Sequence, residues 1–386
     1  MKPLQPHLHD LRQAQLYRQR QVVQGAHGVE VQIGGETLLS FCSNDYLDLA
    51  HHPAVVAAFI AAAQRDGVGA GASHLITGHR PAHHALEEEL ADFVGTPRAL
   101  LFSTGYMANL GVTAALMQRQ GSVFEDKLNH ASLIDAARLS GARVRRYAHG
   151  DVGRLTALLA AAPPEEKLVL SDGVFSMDGD VAPLPALLDA ARTQGAWLLL
   201  DDAHGLGVLG QHGRGTFEHF GLPVASPAIL MGTLGKALGT FGAFVAGSDD
   251  LIETLIQHAR TYIYTTALPP AVAEATRASL RVLREDDGRR ALLHARIRQF
   301  REGARQLGLT LPASETAIQP VILGAPGLAM AASEALRARG ILVSAIRPPT
   351  VPRDTARLRI TLSAAHTPQQ VERLLDALAQ LPRTSE

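Results

Sequence analysis

Between residues 98 and 247, short apolar runs alternate with longer amphipathic stretches, and this alternation constrains the fold more than any other feature of the chain. The runs at 99–102, 122–124, 143–147, 168–170, 197–200, 228–231 and 243–246 have the length of strands. Helical patterns separate most of them, as at 106–119, 151–162 and 183–195. Such alternation predicts an α/β domain with a mostly parallel sheet, because a parallel pair needs a crossover long enough to hold a helix. Strand order is not encoded in the pattern. After Pro269-Pro270 long helices follow, near 270–285 and 289–307, then strand-like runs at 319–323, 341–345 and 358–362. Thr367-Pro-Gln-Gln370 opens the last helix with a capping residue, a proline at the first helical position and a glutamine three residues after the cap. Residues 4–24 read as a polar, arginine-rich helix, followed by extended pieces near 29–33 and 37–41. The expected division is an N-terminal helical and extended segment over 1–45, a large α/β domain over 46–280 and an α+β domain over 281–386.

Composition narrows the function classes. At 386 residues the chain can bury a large core and build two domains. A formal net charge of −1 favours neither nucleic acid nor a membrane surface as partner. The single cysteine, Cys42, excludes an internal disulfide framework and fits a reducing compartment. Met1-Lys-Pro-Leu-Gln-Pro-His7 lacks the apolar core of a signal peptide, and the longest apolar run, 54–63, is too short to span a bilayer. A cytoplasmic protein is expected.

The chemistry is concentrated in two neighbouring segments. Met231-Gly-Thr-Leu-Gly-Lys-Ala-Leu-Gly239 sets Lys236 in a glycine-rich turn after an apolar run. Trp197-Leu-Leu-Leu-Asp-Asp-Ala-His204 ends an earlier run with Asp201 and His204. A lysine, a carboxylate and a histidine so placed suit pyridoxal phosphate (PLP): the lysine forms a Schiff base, and the carboxylate keeps the pyridine nitrogen protonated so that the ring can accept electrons. The competing reading is a solvated loop lysine beside a strand-end aspartate. Phe102-Ser-Thr-Gly-Tyr-Met-Ala-Asn109 is a strand end, a small-residue turn and a helix start, a geometry that offers free backbone N–H groups to a phosphate. It is also what an ordinary βα turn looks like. Leu170-Ser-Asp-Gly-Val-Phe-Ser-Met-Asp-Gly179 is a second polar strand end, with the Ser176 hydroxyl in reach of a cofactor oxygen.

Rival motifs are weaker. Gly205-Leu-Gly-Val-Leu-Gly210 matches a dinucleotide-binding fingerprint, but Gln-His-Gly-Arg-Gly215 follows where that motif requires an amphipathic helix. Gly67-Val-Gly-Ala-Gly-Ala72 follows a helix, which is the wrong context. His79, His83 and His84, like His51 and His52, are close in sequence, but with no evident acidic or cysteine co-ligand they read as structural or surface histidines, and no metal is expected. Gly-Thr-Leu-Gly-Lys lacks the spacing of a P-loop, and no Gly-x-Ser-x-Gly elbow occurs.

In chain order, Asn44-Asp-Tyr-Leu47, Asn129-His-Ala-Ser-Leu133, Ser171-Asp-Gly-Val-Phe-Ser-Met-Asp-Gly-Asp180, Asp201-Asp-Ala-His-Gly205, Thr233-Leu-Gly-Lys236 and Ile346-Arg-Pro-Pro-Thr-Val-Pro352 resemble the α-oxoamine synthases. These are PLP enzymes of the aspartate-aminotransferase fold type, fold type I, and the resemblance runs from about residue 15 to 380. It implies a large domain with a mostly parallel sheet, a smaller C-terminal domain, and condensation of an amino acid with an acyl thioester with loss of CO2. Asp-Asp-Ala-His-Gly and Ile-Arg-Pro-Pro-Thr-Val-Pro are most similar to the biotin-synthesis branch, which joins L-alanine to a pimeloyl thioester carried on coenzyme A or on an acyl carrier protein. A sister branch using glycine or serine, or a non-catalytic PLP-fold protein, remains open.

The resemblance also implies roles. Lys236 becomes the Schiff-base lysine, Asp201 the partner of the pyridinium nitrogen with Asp202 as next candidate, and His130 a catalytic group against the ring. Gly105, Tyr106, Ser176, His204 and Thr233 complete the cofactor contacts. Arg359 matches the arginine that holds the amino acid carboxylate, a task suited to a planar guanidinium fork. Thr350 and an N-terminal arginine, Arg18 or Arg20, match acyl-substrate contacts. A homodimer is implied, with Thr265 or Thr266 reaching the neighbour's cofactor phosphate. One departure is Asp48, where the family commonly has glycine; if that glycine takes a positive φ, aspartate is among the less costly replacements.

Overall fold

The computed structural model describes residues 4–14 and 16–381. The chain forms two compact units. The larger comprises Leu47–Ser176 and Asp180–Arg290; the smaller comprises the described residues up to Tyr46, Met177–Gly179 and those from Ala291 on.

In the larger unit every predicted apolar run becomes a strand: β1 (Arg98–Phe102), β2 (Ser122–Asp126), β3 (Arg143–Tyr147), β4 (Lys167–Asp172), β5 (Trp197–Asp201), β6 (Ala228–Thr233) and β7 (Ala243–Gly247). They pair in the order β1-β7-β6-β5-β4-β2-β3. β7 runs antiparallel to both its neighbours, and the remaining pairs are parallel. Residues 168–170, 198–200 and 229–231 are buried on both faces of the sheet, which is why these strands read as unbroken apolar runs rather than as alternation. Helices Gly105–Leu116 and Ala131–Leu139 press Ala108, Val112, Leu133 and Ala137 into a core shared with Val123, Leu168 and Ile229. β2, β4, β5 and β6 finish on Asp126, Asp172, Asp201 and Thr233, so the carboxyl edge of the parallel strands carries the polar groups. Among the described residues no helix is long and apolar enough to cross a membrane.

The smaller unit holds two sheets. Glu30–Ile33 and Glu36–Ser40 form a hairpin through Gly34 and Gly35, whose φ values of 61° and 85° are those of the two-residue turn that matches strand twist. Ile318–Gly324, Ala356–Thr361 and Ser344–Ile346 form an antiparallel sheet. The last helix, Pro368–Ala379, opens on the predicted capping box: the Gln370 N–H donates to the Thr367 hydroxyl at 3.2 Å and the Thr367 N–H to Oε1 of Gln370 at 2.9 Å.

Two expectations fail. The N-terminal helix covers only Leu4–Gln13, not 4–24, with Gln15 outside the described residues and 16–22 irregular. That helix buries no residue, so no packing extends it beyond what local propensity supports. The single strand expected at 341–345 is split: Ile341–Leu342 pairs parallel with Glu36–Ser40, whereas Ser344–Ile346 joins the antiparallel sheet. Periodicity reports extended backbone and is silent about a strand that changes sheets.

A charged clamp braces the segment that carries Ser176. His149 bonds Asp126 at 3.2 Å through Nδ1 and Asp180 at 2.9 Å through Nε2, and its ring meets Phe175 edge-on with centroids 4.4 Å apart. The bonds to Asp126 and then Asp180 outweigh burial and push His149 up to about 10. A raised folded-state value means that this stabilisation is complete below the unfolded histidine value of about 6.5 and is lost as pH rises toward about 10. We therefore expect His149→Gln to lower the melting temperature most at pH 6, with the gap from the parent closing by pH 10. A gap of equal size at both pH values would show that neutral hydrogen bonds, not the charge, do the bracing.

Candidate active site

All eight residues assigned to the cofactor by resemblance belong to the larger unit. β6 ends at Thr233 and the chain turns tightly: Leu234 N–H donates to the Gly242 carbonyl at 2.9 Å, as does the Thr233 hydroxyl at 3.1 Å. Gly239 closes the turn at φ 65°, where an added Cβ would lie 2.3 Å from the Ala50 nitrogen, so only glycine fits. This loop presents Lys236, whose Nζ lies 3.0 Å from Nε2 of His204. His204 is buried just past the end of β5, in the turn that Gly205 continues.

Asp201 ends β5 and is 5% exposed. Its Oδ2 accepts from Nδ2 of Asn109 at 2.7 Å and its Oδ1 from the Ala203 N–H at 3.1 Å. Asn109 also donates to the Ser132 hydroxyl at 2.9 Å. Asp202, the alternative, is fully buried, and both of its oxygens are used within 2.6 Å by the Thr216 N–H and hydroxyl. Burial pushes Asp202 up to about 6 against those bonds. Asp202 therefore shapes the Gly205–Gly215 turn, where a Cβ on Gly205 would fall 2.1 Å from its Oδ1. That turn leads only into the four-residue helix Thr216–His219, which leaves the dinucleotide-binding reading without its helix.

His130 caps helix Ala131–Leu139, its Nδ1 2.7 Å from the Ser132 hydroxyl and its backbone N–H donating to Oδ2 of Asp172 at 2.9 Å. Desolvation pushes the imidazole below the ordinary histidine value, with Asp201 opposing and Lys236 adding to the shift. The residue nevertheless keeps an exposed face, which a stacked ring can occupy. Asp172 is the register partner of Asp201, and burial followed by the Asp201 charge pushes it well above the usual carboxylate range. Helix Gly105–Leu116 starts at Gly105 and Tyr106, with the Thr104 hydroxyl capping the Met107 N–H at 3.1 Å. The Tyr106 hydroxyl bonds Asp135. Ser176 sits in a turn closed by the Phe175 N–H on the Asp180 carbonyl at 3.0 Å.

The substrate candidates lie in the smaller unit. Arg359 is 8% exposed and both terminal nitrogens are 3.4 Å from Oδ1 of Asn44. Nη2 of Arg18 donates to the Thr350 hydroxyl at 3.3 Å, which selects Arg18 over Arg20 as the arginine that meets Thr350. Both line a cavity of about 310 Å³ with Ser344, Ile346 and Arg347. Asp48 takes φ 56°, so the aspartate does occupy a left-handed position.

Sequence reasoning passed over Asn109, Asp172 and Asn44, which hold Asp201, His130 and Arg359 in place. Each lies inside or at the end of a segment already singled out, but what it touches is set by tertiary structure. The histidines expected to have no acidic neighbour do have one in the structure: Glu87 lies 4.0 Å from Nε2 of His79, and His74 joins the group. His52 caps helix Pro53–Asp66 instead.

The residues present fit PLP: a lysine amine beside a buried histidine, a buried carboxylate with fixed donors, and a helix start with open N–H groups. Comparison with known proteins agrees. Residues 36–378 match the family model for aminotransferase class I and II. The 8-amino-7-oxononanoate synthase of Methylococcus capsulatus is 61% identical over 372 residues, 96% of each chain. That of Nitrosococcus oceani is 61% identical over 375 residues, 96% of this chain and all of the relative. Among solved structures, a serine palmitoyltransferase of S. paucimobilis with a bound PLP–myriocin aldimine superposes with a TM-score of 0.92 at 32% identity, covering 97% of this chain and 96% of the other. An 8-amino-7-oxononanoate synthase of Francisella tularensis gives 0.77 at 32% identity, covering 89% and 97%. The chain belongs to the aminotransferase class I and II family and, within it, to the PLP-dependent 8-amino-7-oxononanoate synthases.

Proposed function

We propose that the chain condenses L-alanine with a pimeloyl thioester, on coenzyme A or an acyl carrier protein, releasing CO2 and the thiol in biotin synthesis. The observation that carries this reading is the Lys236–His204 pair beside a buried Asp201 held by Asn109, in a chain 61% identical to enzymes of that name. Bound PLP supplies an electron sink for negative charge at an amino acid α-carbon. Lys236 Nζ removes and returns the α-proton, with Nε2 of His204 3.0 Å away holding the amine in place. Asp201 holds a proton on the pyridine nitrogen, a task for a carboxylate whose own orientation is locked by two donors. Gly105, Tyr106, Ser176 and Thr233 bind the cofactor's polar groups, and His130 lies against its ring and meets the thioester oxygen as charge develops. Arg359 clamps the alanine carboxylate, and Arg18 and Thr350 contact the acyl substrate.

A homodimer in the cytoplasm is part of this reading, with Thr265 or Thr266 reaching the partner's cofactor phosphate. Its support is an apolar surface: Val68, Ile76 and Tyr264 are 88%, 74% and 71% exposed, and the backbone bridge between Ser73 and Thr266 ties their segments together.

The decisive experiment follows thiol and CO2 release with alanine, glycine and serine against pimeloyl, acetyl, succinyl and palmitoyl thioesters. L-Alanine with the pimeloyl donor should be fastest. A pocket shaped for one methyl gains only about 1–3 kcal/mol over its absence, so glycine should react slowly rather than not at all. Serine brings a hydroxyl without a partner and should be poorer still. A preference for glycine with short donors, or for serine with palmitoyl, would move the chain to a sister branch; thiol release retained by Lys236→Ala would remove the lysine from its role.

Arg359→Ala should raise the KM for alanine far more than that for the thioester, by the factor that about 2–3 kcal/mol of charge-assisted contact represents. A loss confined to the thioester would overturn the carboxylate assignment.

Asn109→Ala removes one of two donors to Asp201 while leaving a good helix former in its place. A hydrogen bond to a charged group contributes about 1.5–3 kcal/mol, so turnover should fall roughly 10–100-fold with secondary structure intact. Unchanged turnover would show that Asp201 does not depend on this contact.

A further inference from the structure

One histidine cluster in the larger unit has no part in the chemistry above. His74, in the single wide turn His74–Gly78, and His79, just after it, face each other with their Nδ1 atoms 3.0 Å apart. Helix Pro81–Val94 begins two residues later and brings His83, His84 and Glu87 to the same place.

Two sets of three donors are close enough to share an ion: His74, His79 and His83, or His79, His84 and Glu87. The hydrogen bonds decide between them. His83 is fully buried with both ring nitrogens used, Nδ1 accepting the Arg80 N–H at 2.9 Å and Nε2 bonding the Leu268 carbonyl at 2.7 Å. Recruiting it would break both bonds. His84 and Glu87 stand one helical turn apart on one face, and β1 fixes the carboxylate by donating the Leu101 N–H to Oε1 at 2.9 Å. That leaves Oε2 directed at Nε2 of His79 across 4.0 Å, too long for a hydrogen bond.

We infer that His79, His84 and Glu87 form a binding site for a divalent transition-metal ion, Zn²⁺ being the best match to two imidazoles and a carboxylate. In a tetrahedral site with bonds of about 2.0–2.1 Å, donor atoms lie roughly 3.3 Å apart. The donors here lie within 4.8 Å of one another, and the spread closes through rotation of the exposed His84 side chain away from Glu88, whose Oε1 is 3.5 Å from its Nε2 in a solvent-exposed pair that costs little to give up. The Nδ1–Nδ1 contact supplies the outer support: a proton on Nδ1 of His79, donated to His74, leaves the Nε2 lone pair aimed at the ion. Three protein ligands leave a fourth position for water at the His84 side. The ion ties the His74–Gly78 turn to helix Pro81–Val94 and to β1, so its role is a structural clip separate from the cofactor chemistry.

The test uses chelator-treated holoenzyme titrated with Zn²⁺ against a chromogenic competitor, with the parent compared to His84→Ala and His79→Gln. The parent should take up one ion per chain, and each variant should bind at least about tenfold more weakly, since even an outer-shell partner is worth that much. The visible spectrum of bound PLP should be unchanged in both variants, which separates a lost ligand from a lost fold. Anomalous scattering at the zinc edge should place the ion between Nε2 of His79 and Oε2 of Glu87. No uptake by the parent, uptake unaffected in both variants, or an anomalous peak elsewhere overturns the assignment.

Discussion

A carboxylate 5% exposed at the end of β5 stays oriented because Asn109 and the Ala203 N–H both donate to it, and the rest of the site is arranged around that contact. Asn109 reaches Asp201 only because helix Gly105–Leu116 starts where β1 ends, and the same helix start supplies Gly105 and Tyr106. The second hydrogen of the Asn109 amide goes to Ser132, which also bonds His130. One buried amide therefore connects Asp201, the start of helix Gly105–Leu116 and, through Ser132, His130. The network ties the orientation of Asp201 and His130 to the packing of two helices against the sheet.

The adjacent aspartates divide the work by what surrounds them. Asp202 is spent entirely on Thr216 and on the glycine turn that follows, so it is a structural group despite its charge. On the neighbouring strand Asp172 faces Asp201 in register and holds the His130 backbone. Burial and then the charge of its register partner push Asp172 well above the usual carboxylate range, while Asp201 is held by donors to both of its oxygens. The sheet register thus sets the two carboxylates side by side and gives each a different set of partners.

Much of this was legible in the sequence, and the failures have a common cause. The strands of the larger unit could be read because strands buried on both faces must be apolar throughout, and the capping box at Thr367 because its two bonds are local. Lys236, Asp201 and His204 could be singled out because each lies at or just after the end of an apolar run, although an ordinary strand-end turn looks the same. The truncated helix at Leu4–Gln13, the strand that changes sheets at Val343, and the supports Asn109, Asp172 and Asn44 were not legible. Each depends on a partner between about a dozen and more than three hundred residues away or, for the helix, on the absence of burial. Sequence pattern carries the period of an element but not the identity of what packs against it.

Asp48 shows the same limit from the other side. The residue in place of the family glycine takes φ 56°, and a left-handed backbone costs an ordinary residue roughly 1–2 kcal/mol. Aspartate lowers that cost because its short polar side chain suits the left-handed region. Arg289 steadies the turn further, with Nη1 donating to the Leu47 carbonyl at 3.0 Å and the Asp48 carbonyl at 3.3 Å. A guanidinium bonded to two consecutive carbonyls fixes the peptide planes on both sides of the strained residue, so the conformation that glycine would adopt for free is here held by a contact from 241 residues away. The consequence reaches the site: Leu49 and Ala50, directly after this turn, are the backbone against which Gly239 packs, and Gly239 closes the loop that presents Lys236.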